Sequence, residues 1–73
     1  MEHLKVIFPE DGRGVLIDGQ RNGTTNVVIQ IDAGTYTVSL VPPPDFIPTE
    51  QRVVLDPNQT GPLSPKEVAF AKI

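Results

Sequence analysis

Apolar and polar residues alternate along most of this chain, and side chains two positions apart point to the same face of an extended strand. Leu4, Val6 and Phe8 alternate with His3, Lys5 and Ile7. Val15 and Ile17 carry a second short run, and Val27, Ile29 and Ile31 a third. In the fourth, Tyr36, Val38 and Leu40 alternate with the hydroxyls of Thr35, Thr37 and Ser39. Val53 and Leu55 make a fifth. No apolar stripe of helical period occurs before residue 64.

Chain-breaking residues separate these runs. Pro9-Glu10-Asp11-Gly12-Arg13-Gly14 lies between the first and second. Asp18-Gly19 and Asn22-Gly23 both suit positive φ and are expected as turns before the third run. Asp32-Ala33-Gly34 leads into the fourth. Pro42-Pro43-Pro44-Asp45-Phe46-Ile47-Pro48 cannot continue a central strand, because proline has no amide to donate. It is expected as an extended edge across the top of the core, with Phe46 or Ile47 tucked in. Asp56 to Pro62 reads as another loop. Turns at this spacing predict an all-β fold, a small sandwich or open barrel of about six to seven short strands.

The last ten residues read two ways. Ser64-Pro65-Lys66-Glu67 has the form of a helix start, with a capping serine, a proline and a capping-box glutamate. Val68-Ala69-Phe70-Ala71 instead alternates large and small, which favours a final strand covering an existing edge; a short helix is the alternative.

Composition supports the strand reading. Val and Ile together number 15 against 9 for Leu, Ala and Met, and β-branched side chains suit pleated surfaces. With 73 residues, the chain is read as a single domain, 1–73. Its net charge of −3 is the wrong sign for a phosphate-backbone binder, and no run approaches a membrane-spanning length. Without cysteine there is no disulfide, thiolate metal site or cysteine nucleophile. If Met1 is the natural start, the absence of a signal peptide makes the cytoplasm the default. A fragment of a longer chain would fit the cell surface or periplasm as well.

Residues 13–41 resemble the PEGA domains. Gly14 to Thr25 has the family's short strand ending in Asp18-Gly19, followed after three residues by Gly23-Thr24-Thr25. Asp32-Ala33-Gly34-Thr35-Tyr36-Thr37-Val38 is similar to the family's Pro-Gly-x-Tyr-x-Val segment. Pro9 to Gly14 stands where the family carries Pro-Glu-Gly-Ala, two residues longer. Asn26 replaces a frequent proline, and Pro43-Pro44-Asp45-Phe46 replaces Pro-Gly-Tyr. The resemblance implies a Greek-key or prealbumin-like β-sandwich, an accessory module of larger bacterial surface or signalling proteins, and no catalytic residues. It makes Asp18, Gly19, Gly23, Thr25, Gly34 and Tyr36 architectural, with Tyr36 as a corner tyrosine bonded back to the backbone.

Little else carries chemistry. His3 is the only histidine and has no nucleophile constellation around it. The carboxylates fall at strand ends and loops without the ligand spacing of a calcium loop, although Asp18, Asp32 and Asp56 would meet if their loops shared one end. Arg13, Arg21 and Arg52 are scattered, without an interleaved aromatic platform for nucleic acid. No cofactor is expected. The chain is therefore expected to be a non-enzymatic module that binds a protein partner, or itself as a weak homodimer, through an exposed strand edge or the loop Pro42, Pro43, Pro44, Asp45 and Phe46. A carbohydrate- or cell-wall-binding domain is the alternative. Exposure of Tyr36, Phe46 and Phe70 separates the two, since polysaccharide sites need exposed rings.

Overall fold

The computed structural model describes residues 1–73 and contains nine strands and no helix. They are β1 (Glu2–Ile7), β2 (Gly14–Ile17), β3 (Gln20–Thr24), β4 (Val28–Ile31), β5 (Gly34–Leu40), β6 (Phe46–Ile47), β7 (Gln51–Leu55), β8 (Lys66–Ala69) and β9 (Ala71–Lys72). One sheet has the order β4-β1-β8, a second β3-β2-β5-β7, and β6 pairs with β9 in a two-stranded ribbon. All pairs are antiparallel except β1 with β8.

The two larger sheets close on one core of thirteen buried apolar side chains. Alternation selects them. Leu4, Val6 and Phe8 face inward from β1 and the residue after it, Val15 and Ile17 from β2, Val38 and Leu40 from β5, and Val53 and Leu55 from β7. Phe8, Phe46 and Phe70 stack edge to face through Phe46, at 6.4 and 5.8 Å between centroids. The last residues form strands rather than a helix, because burying Val68 and Phe70 in this core needs a period of two.

Three expectations change in detail. Nine strands replace six or seven, since β3 is exposed along most of its length and shows no apolar alternation, and β9 is only two residues long. Asn22 and Gly23 lie inside β3 rather than in a turn. The hairpin is made by Asp18 and Gly19 alone, whose φ values of 52° and 82° fit a two-residue turn with both central residues left-handed. Val27 does not share a face with Ile29 and Ile31. Asn26, at φ 64°, turns the chain ahead of β4 and leaves Val27 exposed, while Ile29 is buried and Ile31 half-buried. A proline, whose ring fixes φ near −65°, could not adopt the Asn26 conformation.

Candidate interaction surface

The turn residues are held by their own local bonds. Asp18 exchanges two bonds with Thr37 of β5, its amide donating to Thr37 O and its Oδ1 accepting from Thr37 N, both at 2.8 Å. Gly23, at φ 74°, lies so close to β4 that an added Cβ would come within 2.7 Å of the Ile29 side chain. Thr25 is fully buried; its Oγ1 donates to Glu10 O at 2.5 Å and accepts from Arg13 N at 3.2 Å. Gly34 opens β5, and the half-buried Tyr36 packs against the core with its hydroxyl donating to Asp32 O at 2.8 Å.

The loop expected to be an interaction element is fastened down. Pro42, Pro43 and Pro44 are exposed, but the buried Arg13 reaches across beneath them. Its guanidinium donates to Val41 O and Pro43 O at 3.2 Å each, to both carboxylate oxygens of Asp45 at 2.9 and 3.1 Å, and to both of Glu10 at 3.1 Å. Lys72 of β9 completes the cluster, 2.6 Å from Asp45 and 3.1 Å from Glu10. Arg13 and Lys72 also lie over the Phe8 ring, 5.3 and 5.8 Å from its centroid. The hydrogen bonds from Arg13 and then Lys72 hold the Asp45 and Glu10 carboxyls below their ordinary values. In turn, Asp45 and then Glu10 raise the Lys72 ammonium above its own.

Glu2 is a second fastened carboxylate. It is buried, and three successive amides of the loop after β7 point at it: Asn58 N at 2.9 Å, Gln59 N at 3.3 Å and Thr60 N at 3.2 Å, with Thr60 Oγ1 at 2.8 Å. Consecutive amides turned by a left-handed residue, here Asn58 at φ 61°, make a concave donor surface for an anion. The Asn58 amide, then the Thr60 hydroxyl, lower the Glu2 pKa.

Sequence reasoning passed over Arg13, Glu2 and Lys72. Glu10 and Arg13 are three residues apart, but Asp45 and Thr60 are distant in the chain from their partners, and no local pattern announces such meetings. Asp18, Asp32 and Asp56 are not gathered into one ligand set, as no group of three or more His, Asp or Glu side chains converges. Two rings offered as a test of exposure, Phe46 and Phe70, are 5% and 4% exposed and belong to the core.

What remains open is the rim where β7 and β8 border each other. Each is the last strand of its sheet. The Phe70 amide bonds Ile7 O of β1, so alternation turns the backbone groups of Glu67 and Ala69 outward. Ala69 O is met by the Gln51 side chain, whose Nε2 donates at 2.6 Å. Beside this rim lies a shallow apolar groove of about 490 Å³, walled by Ile47, Pro48, Ala69 and Ala71 and floored by Phe70. Ile47 is 52% exposed there.

Together, the two-sheet fold, its single core and its locally bonded turns define a small all-β module. Its sequence matches the PEGA domain family over residues 9–67, and the chain belongs to that family. Comparison with the curated proteins and with the solved structures found no match. No helix is long and apolar enough to cross a membrane.

Proposed function

We propose that this PEGA domain is a non-enzymatic interaction module that accepts an extended protein segment along the outer rim of β8, displacing the Gln51 side chain from Ala69 O. The observation that carries this reading is the apolar groove of Ile47, Pro48, Ala69 and Ala71 set directly beside outward-facing backbone groups of an edge strand. An added strand takes its affinity from main-chain hydrogen bonds and its selectivity from alternate side chains entering such a groove. The segment that fits is extended, with an apolar residue positioned over Phe70 and no charge at that point. The proline-rich loop is the weaker place for a partner, because the Arg13 cluster already uses its carbonyls. The carbohydrate reading keeps only the half-buried Tyr36, since Phe46 and Phe70 lie in the core.

The test is titration of the labelled protein with extended apolar peptides, followed by amide chemical shifts. Saturable shifts are expected at residues 47–48 and 67–71. The variant Ala71→Asp should weaken binding by about tenfold or more, since it places a charge in an apolar contact. Shifts confined to residues 42–45, or none at all, would overturn the reading.

A further inference from the structure

β8 and β9 are attached to the rest of the molecule in an unusual way. They place Val68 and Phe70 in the core, with Phe70 edge to face on Phe46. Yet β8 pairs only with β1, and β9 only with the two residues of β6. The ten residues from Asp56 to Pro65 that lead into β8 are largely exposed. They are held to the body by the four bonds to Glu2 and by the His3 amide donating to Thr60 Oγ1 at 2.7 Å. At the far end Lys72 is held by Asp45 and Glu10, and the Ile73 amide by Asp45 O at 2.9 Å. Both ends of the strap are therefore fixed by a few polar contacts, and its release takes one edge strand from β1 while leaving the β3-β2-β5-β7 sheet intact.

We propose that residues 66–72 exchange between two copies of this chain, each copy laying its β8 and β9 onto the other's β1 and β6 in a two-fold dimer. The seat selects its occupant. It offers apolar sockets for side chains two apart, filled by Val68 and Phe70, and two residues further on an acidic pair that takes Lys72. This chain's own segment meets all three requirements, so the exchanged contacts equal the internal ones and concentration sets the balance. The hinge is long enough. Ten extended residues reach about 33 Å, well beyond the 21 and 17 Å short axes of the molecule. Pro57, Pro62 and Pro65 bias that hinge towards extended conformations.

Acid is the lever that opens the strap. Glu2, Glu10 and Asp45 all have lowered pKa values in the folded state. Their grip is thus complete above the ordinary carboxyl range and is lost as pH falls through the lowered values. The charged groups facing Glu10 and Asp45 are Arg13 and Lys72. No ion pair reaches Glu2; its chain neighbours are Met1, with the terminal ammonium, and His3, its β4 register partner Ile31 precedes Asp32, and the loop that donates to it starts at Asp56. The exchange does not rest on the peptide-binding reading above.

The chain has no cysteine, so the swap can be trapped cleanly. Ile7 and Ala69 are register partners across β1 and β8. A chain carrying Ile7→Cys and a second carrying Ala69→Cys are mixed at high concentration, taken briefly to about pH 2 in denaturing urea so that the Asp45 clasp is also released, returned to pH 7 without urea and oxidised. The mixed disulfide is expected in about tenfold excess over either like-with-like product, because only a swapped dimer sets the two thiols at bonding distance. The unaltered chain, treated alike, should show a dimer by light scattering. Glu2→Gln should exchange about tenfold faster at pH 7, having lost its charge-assisted bonds. A monomer after the acid step, or a dimer without the mixed-disulfide excess, overturns the proposal.

Discussion

Thr25→Val removes one hydroxyl and almost no volume from a fully buried site. The hydroxyl donates to Glu10 O and accepts from Arg13 N, so valine leaves a buried amide and a partly buried carbonyl without partners. A buried group stranded in this way costs about 1–3 kcal/mol, with the carbonyl at the low end because water can reach it. Removing the desolvated hydroxyl itself returns about 1 kcal/mol, leaving a net loss of about 2 kcal/mol. A domain of this size has roughly 4–11 kcal/mol in total, so the loss is large and should lower Tm by about 8–16 °C. Urea unfolding followed by far-ultraviolet circular dichroism measures it. Thr25→Ser keeps the hydroxyl and loses one methyl, for about 1 kcal/mol. Amide exchange at Arg13 should accelerate in the valine variant and not in the serine one. A valine variant within about 0.5 kcal/mol of the parent, or an Arg13 amide as protected as before, would refute the reasoning.

Gly23→Ala should cost about 2–4 kcal/mol by the same unfolding assay, combining the strain of a left-handed alanine with the clash on Ile29. A cost similar to that of Gly12→Ala, where the φ is also positive but no atom stands within 4 Å, would show that the approach to β4 is unimportant. Stability should be flat from neutral pH down to about 5.5, then fall as Glu2, Glu10 and Asp45 take up protons they bind more weakly when folded. Glu2→Gln should flatten part of that decline in acid urea titrations; an unchanged slope would remove Glu2 from the account.

Much of the fold was legible because its cause is local. In Leu4-Lys5-Val6-Ile7-Phe8 and Tyr36-Thr37-Val38-Ser39-Leu40 the strand period alone assigns an inner face, and the structure buries those positions in the order expected. Asp18-Gly19 announced its own turn by its tolerance of positive φ. Gly23 was noticed for the right chemistry but given the wrong place, since its glycine answers to Ile29 across the gap between β3 and β4.

The sequence by itself determined the all-β class, the inward residues, the Asp18-Gly19 hairpin and the PEGA resemblance. The first three depend on neighbours within a few residues, and the resemblance on the order and spacing of short segments along the chain. Tertiary structure alone decided that Arg13 would be buried beneath the proline loop, that Glu2 would hold the loop at residues 58–60, and that β8 would lie parallel to β1 with an open rim. Those partners lie some 30 to 60 residues apart. A charged side chain looks the same in sequence whether it is solvated or paired, and only the meeting of distant loops chooses between the two.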